Sequence, residues 1–150
     1  WEALLDDRID VIATDHAPHT LEEKSNKYLK CPSGAPLVQH SLQVMFEYYK
    51  KGKISLEKVV EKMCHNPAIL FEIEKRGFVK EGYKADLVII NPNAENTVSK
   101  DNILYKCGWS PLENETFHSE ISHTFVNGFL AFENGKISPE KHAERLLFDR

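Results

Sequence analysis

Residues 9–20 read IDVIATDHAPHT, and this stretch carries the strongest pattern in the chain. Four of its first five residues are apolar, which is typical of a strand buried on both faces of a parallel sheet. Asp15, His16 and His19 follow directly. In parallel α/β folds, reactive side chains collect at the carboxyl ends of strands. The stretch therefore predicts a functional site, although Asp15 could also be a turn acid and the two histidines a core and a surface residue.

The composition excludes several classes of protein. The chain has 150 residues, of which 41% are hydrophobic and 28% charged, and a net charge of −4 with lysines interleaved among glutamates. No basic stripe predicts a nucleic-acid or anionic-membrane partner, and the apolar runs are too short to span a bilayer. No leader for secretion is recognised. Cys31, Cys64 and Cys107 are widely spaced, so free thiols in the cytoplasm are expected rather than disulfides or a cysteine zinc site.

The first half of the chain, residues 1–77, has the pattern of an α/β unit. Residues 1–5 predict the end of a helix, residues 9–14 a strand, and residues 20–36 a loop. A helix from residue 37 is closed by Gly52. A second helix has Ser55 as its N-cap and is expected to be interrupted at Asn66-Pro67.

The second half, residues 78–150, is predicted to be a β-rich outer subdomain with a closing helix. Residues 86–90 are predicted to form a strand. Asn127-Gly128 is a strong hairpin signal between residues 121–126 and 129–132, and Asn134-Gly135 is another turn. Ser138-Pro139 predicts the start of the closing helix.

Several longer motifs carry a family resemblance. TDHAPH is followed by TLEEK and PSGAPLVQ, and then by HNPAILFEIEKRGFVKEGYKADLVIINPN, KCGWSPLENETF and HTFVNGFLAFENGKI. Together, in this order, they resemble the dihydroorotases of the amidohydrolase superfamily, and they cover nearly the whole chain.

The resemblance implies a fold class: α/β, with the last strand and helices of a (β/α)8 amidohydrolase barrel followed by the carboxyl-terminal part of a small β-sandwich. A complete barrel takes about 250 residues. The chain would accordingly hold the end of helix seven, strand eight and helix eight. The family's HxH motif, its carboxylated lysine and two further histidines would lie upstream, since none has a counterpart here.

The resemblance also implies a reaction and its residues. Dihydroorotases interconvert dihydroorotate and N-carbamoyl-L-aspartate in de novo pyrimidine biosynthesis, using binuclear zinc (Zn2+) and a metal-activated hydroxide. Asp15 would be a metal ligand and the general acid/base, and His19 would contact the substrate carboxylate. Ser33 and Gly34 would place main-chain groups against the substrate ring. At Ser33 many family members have an aromatic residue, and GAPLVQ replaces the family's GxxGLE.

Residues next to the motif are expected to serve packing, and the resemblance also implies partners. His16 is expected to pack behind the strand, and Trp109 and Pro111 to be packing elements. The partner would be a small-molecule substrate, and the full-length protein a homo-oligomer. KCGWSP favours dihydroorotase over a related cyclic amidase such as allantoinase or hydantoinase. A dihydroorotase-like scaffold without catalysis is the alternative from a different class.

Overall fold

The computed structural model describes residues 1–149, with helices in the first half and two small antiparallel sheets in the second. The helices are α1 (Glu2–Leu5), α2 (Leu21–Lys24), α3 (Ser41–Lys50), α4 (Leu56–Val60) and α5 (Asn66–Leu70). The strands are β1 (Leu87–Asn91), β2 (Asn96–Thr97), β3 (Thr116–Phe117), β4 (Glu120–Val126), β5 (Phe129–Glu133) and β6 (Lys136–Ile137). Within these residues, no helix has the length and apolar character needed to cross a bilayer.

The helices pack around a small apolar core. Met45 of α3 is 7% exposed, Ile54, which lies before α4, is 4% exposed, and Val59 of α4 is 1% exposed. Partly buried side chains surround them, namely Leu4, Ile12, Leu42, Tyr48 and Met63. Ile12 belongs to the opening stretch, so the core holds that stretch against α3 and α4.

The helix that starts at Ser55 is longer than the sequence predicts. The Ser55 hydroxyl accepts a hydrogen bond from the Lys58 N–H (3.1 Å), which confirms the predicted N-cap. α4 then runs without a break through a π-helical turn, Glu61–His65, into α5. The expected interruption at Asn66-Pro67 is wrong: the helix changes there only from the π-helical to the α-helical hydrogen-bonding pattern, and Pro67 stands at the start of the α-helical segment, where proline is tolerated.

The main sheet has the order β1-β4-β5-β6, with every neighbouring pair antiparallel. The β4–β5 turn has Asn127 at φ 53° and Gly128 at φ 86°, both in the left-handed region that this two-residue turn requires. The second turn repeats this with Asn134 at φ 45° and Gly135 at φ 84°. Both predicted hairpins are confirmed.

The opening stretch takes its path from helix contacts rather than from a sheet. Among residues 1–149 it joins no β-ladder, and Ile9 is 45% exposed. A ladder needs a strand alongside, and the described residues supply none here. The Lys62 ammonium, which is 1% exposed, instead donates to the Ile9 carbonyl (2.6 Å), and the Ile12 N–H donates to the Lys62 carbonyl (3.1 Å). The Asn66 amide donates to the Asp10 carbonyl (2.7 Å).

The Asp7 carboxylate pairs with the lysine that holds the opening stretch. Asp7 lies 2.8 Å from the ammonium groups of both Lys58 and Lys62. The hydrogen bonds from Lys58 and then Lys62 lower the pKa of Asp7 to about 2. Asp7 is therefore ionised at neutral pH and balances the charge of the buried Lys62.

The predicted closing helix after Ser138 is absent from residues 138–149. The end of this segment instead pairs with the chain that follows α5. The Glu74 N–H donates to the Leu147 carbonyl (3.0 Å), and the Asp149 N–H donates to the Glu72 carbonyl (2.9 Å). A short helix is marginal without tertiary support, so these backbone hydrogen bonds decide the conformation. The helix prediction is wrong.

The helical and β-rich halves touch through α3. The Gln43 side chain donates to the Ser119 carbonyl (3.1 Å), and Lys50 donates to the Pro92 carbonyl (2.6 Å). The Glu47 carboxylate accepts from the N–H of His118. The proposed division into residues 1–77 and 78–150 remains a prediction.

Candidate active site

Asp15 stands at the end of the opening stretch in an unusual backbone conformation. Its φ is 44°, in the left-handed region that aspartate tolerates better than most residues. Its side chain is exposed, and among residues 1–149 its carboxylate makes no hydrogen bond or ion pair. The carboxylate is thus exposed and unpaired within the described residues.

His16 serves the structure of the motif. Its Nδ1 accepts a hydrogen bond from the Leu37 N–H (3.2 Å), and its ring lies 5.4 Å from the ring of Tyr105. The backbone of His16 also forms a parallel bridge with Ala35. Through its Nδ1, its ring contact and its backbone bridge, His16 joins the motif to the chain after the loop. This is consistent with its exclusion from the predicted site.

His19 lies beside an ionised carboxylate. Its Nδ1 is 3.7 Å from Glu23 Oε2, and its side chain is 36% exposed. Glu23 is fixed by a capping box: its Oε2 accepts from the Thr20 N–H (2.7 Å), and its own N–H donates to the Thr20 hydroxyl (3.2 Å). The Thr20 backbone hydrogen bond lowers the pKa of Glu23. Sequence reasoning missed Glu23, although T-x-x-E before a helix was a readable signal.

The loop with Ser33 and Gly34 is brought against the motif. Both residues are exposed. Gly34 has φ 90°, and a Cβ at this position would lie 2.5 Å from the Cβ of Ala17. The Ala17 N–H donates to the Ala35 carbonyl (3.1 Å). Only glycine fits at position 34, where the loop backbone meets the residue between His16 and Pro18.

Two further side chains hold this arrangement, and sequence reasoning assigned neither of them this role. The Lys24 ammonium donates to the carbonyls of Pro32 (2.7 Å) and Gly34 (3.0 Å). The Trp109 indole N–H donates to the His19 carbonyl (2.8 Å), across a separation of 90 residues. Trp109 is therefore more than a packing element, but no sequence signal pairs it with His19.

Comparisons with known proteins identify the family. The profile of the amidohydrolase family matches residues 1–131. The chain belongs to the amidohydrolase family. This amidohydrolase is 36% identical to the dihydroorotase of Pyrococcus furiosus over 141 residues, covering 94% of the chain and 33% of that relative. It is 39% identical to the dihydroorotase of Halobacterium salinarum over 113 residues, covering 75% of the chain and 27% of the relative. These relatives confirm the resemblance in the motifs.

Solved structures show the same fold. The L-hydantoinase of Arthrobacter aurescens matches with a TM-score of 0.84 at 30% identity, covering 93% of this amidohydrolase and 32% of that chain. The D-hydantoinase of a Thermus species matches with a TM-score of 0.83 at 25% identity, covering 94% and 32%. The predicted fold class is confirmed. The chain spans about a third of the length of the dihydroorotase relatives.

The donors of this amidohydrolase fit a metal ion only in part. Among residues 1–149, no group of three or more His, Cys, Asp or Glu side chains could hold a metal. Catalytic zinc takes about three protein ligands and an open position. Asp15 fits as one ligand, because its carboxylate is exposed and unpaired, but residues 1–149 do not assemble a complete site.

Proposed function

We propose that this chain is the carboxyl-terminal part of a zinc-dependent dihydroorotase, which interconverts dihydroorotate and N-carbamoyl-L-aspartate in pyrimidine biosynthesis. The observation that carries the proposal is that a free carboxylate, Asp15, directly precedes a segment packed against the loop of Ser33 and Gly34. The dihydroorotase relatives support the choice of substrate.

Each site residue has a chemical role in this proposal. Opening the ring requires a proton to leave the attacking water and a proton to reach the ring nitrogen. The Asp15 carboxylate accepts the first proton and delivers the second. It is available for this role because no side chain or backbone group of residues 1–149 hydrogen-bonds to it. Zn2+, for which Asp15 would be one ligand, supplies activation of the water and polarisation of the amide when bound.

Substrate binding falls to His19 and the loop. A histidine N–H donates to a carboxylate, and His19 is partly exposed with its Nδ1 turned toward Glu23. This leaves its other ring nitrogen available for the substrate carboxylate. Main-chain groups of Ser33 and Gly34 would contact the ring. The small-molecule partner, the cytoplasmic location and a homo-oligomeric full-length enzyme remain predictions from the resemblance.

A related cyclic amidase is the second candidate, because hydantoinase structures superpose with TM-scores up to 0.84. Assay of the complete, metal-loaded protein on dihydroorotate, hydantoin and allantoin separates the candidates. We expect kcat/KM for dihydroorotate to exceed the others by about tenfold or more. Preference for hydantoin or allantoin would favour the alternative, and no turnover of any substrate would favour a scaffold.

The role of His19 is tested by substitution in the complete protein. His19→Ala should raise KM for dihydroorotate by about tenfold or more, because the substrate carboxylate loses a donor. His19→Asn keeps an N–H donor and should lose less. Metal content, measured by mass spectrometry, should stay at the wild-type level in both. Loss of metal in His19→Ala would contradict the assignment and indicate a ligand instead.

A further inference from the structure

We propose that Lys24 is a positioning residue that sets the distance between His19 and the substrate-binding loop of residues 32–35. The inference rests on the proposed function for its effect on substrate, but its geometry stands on the structure alone. Lys24 does not contact the reacting atoms in this proposal. It acts through the backbone of the loop.

A rigid link joins His19 to Lys24. α2 is a single turn, Leu21–Lys24, that begins two residues after His19. Its start is fixed by the Thr20–Glu23 capping box, and the residue before the cap is held by the Trp109 hydrogen bond to the His19 carbonyl. Because α2 is one turn long and its start is fixed, the position of His19 also fixes the position of Lys24, the last residue of α2.

Lys24 contacts the loop at the end of that turn. Lys24 is partly buried, whereas every other residue from 21 to 30 is exposed. Its ammonium donates to the carbonyls of Pro32 (2.7 Å) and Gly34 (3.0 Å), on either side of Ser33. Charged donors make stronger hydrogen bonds than neutral ones. Lys24 therefore holds the loop at Ser33 and Gly34, the residues proposed to contact the substrate ring.

The loop is also held on its other side, against the motif. Gly34 lies against Ala17, and the Ala35 carbonyl accepts from the Ala17 N–H. Lys24 thus closes a ring of contacts that runs from Ala17 through His19 and α2 and back through the loop. Without the ammonium, the Gly34 carbonyl loses its donor, the Pro32 carbonyl keeps only the thiol of Cys31 at 3.6 Å, and the ring of contacts loses its charged link.

The consequence for catalysis is selective. Substrate would be held at its carboxylate by His19 and at its ring by the loop, so the spacing of the two matters for binding. A displacement of about 1 Å at a positioned substrate can cost two orders of magnitude. Asp15 lies outside the ring of contacts, so loosening the loop should raise KM more than it lowers kcat.

The test uses three variants of the complete, metal-loaded protein. Lys24→Met removes the ammonium and keeps the length of the side chain. Lys30→Met is the matched control: it removes the same charge six positions away, from an exposed side chain that makes no hydrogen bond or ion pair among residues 1–149. Lys24→Arg keeps charged donors.

We expect Lys24→Met to raise KM for dihydroorotate about tenfold with kcat changed less than about threefold. Lys30→Met should match wild type, and Lys24→Arg should recover part of the loss.

A second readout needs no substrate. Amide hydrogen exchange at Ala17, whose N–H is bonded to the loop at Ala35, should accelerate in Lys24→Met and not in Lys30→Met. If wild type turns over no cyclic amide, the proposed function fails while exchange still decides whether Lys24 holds the loop.

Three results would overturn the proposal. Equal changes in KM for Lys24→Met and Lys30→Met would indicate a general charge effect. Unchanged exchange at Ala17 together with an unchanged KM would show that Lys24 holds nothing. If Lys24→Met is globally destabilised, Lys24→Arg decides: a folded Arg variant whose KM is not restored contradicts positioning, and a restored KM supports it.

Discussion

Replacing Asp15 by asparagine should lower turnover of dihydroorotate by roughly 10²–10⁴-fold in the complete protein while the fold survives. The substitution preserves volume but removes the group that takes and returns the proton. Asparagine also tolerates a left-handed backbone, so the φ of 44° at this position adds no new strain. The measurement is kcat at saturating substrate, with circular dichroism and thermal unfolding to check the fold.

Asp10→Asn is the matched control for this substitution. Asp10 is exposed and lies in the same stretch, and its contact with Asn66 uses the backbone carbonyl rather than the carboxylate. We expect it to retain wild-type turnover. An Asp15→Asn protein that keeps more than about a tenth of the wild-type rate would show that Asp15 is not the general acid/base.

Residues 1–150 expressed by themselves should show no metal-dependent hydrolysis of dihydroorotate. The reason is coordination: in the described part of the chain no three candidate ligands come together, and a single carboxylate cannot hold zinc firmly. The assay adds excess zinc and runs beside the complete protein, with bound metal measured after gel filtration. Turnover comparable to that of the complete protein would contradict the assignment of a single ligand, Asp15, to this chain.

The same preparation should associate with itself. Ile9 of the opening stretch is 45% exposed, and Val88 and Ile89 of β1 are 46% and 48% exposed. β1 is also an edge strand of the main sheet, with unpaired backbone groups along one side. Gel filtration of residues 1–150 should accordingly show oligomers, and a stable monomer would contradict this expectation.

Local chemistry explains which elements could be predicted from sequence. Asn127-Gly128 determines its turn because both residues accept positive φ, and apolar residues on either side make the strands. Ser55 determines a helix start because its hydroxyl reaches a backbone N–H three residues on. The TDHAPH motif identified Asp15 and His19 as candidates because residue types with the right chemistry follow an apolar run.

Long-range contacts explain the rest. The segment after Ser138 has helical signals, yet residues 147–149 bond to the backbone of residues 72–74, which no local pattern encodes. A strand was predicted at residues 9–14, but a ladder needs a second strand alongside, and residues 1–149 place none there.

For the candidate site, the sequence by itself determined which residues are proposed to carry the chemistry: a carboxylate at position 15, a histidine at position 19 and a glycine at position 34. Only the tertiary structure decided how they are held, through Lys24 on the loop carbonyls and Trp109 on the His19 carbonyl. The physical reason is that these bonds end on backbone carbonyls. Every residue has such a carbonyl, so the sequence contains no mark of which one a distant donor will find.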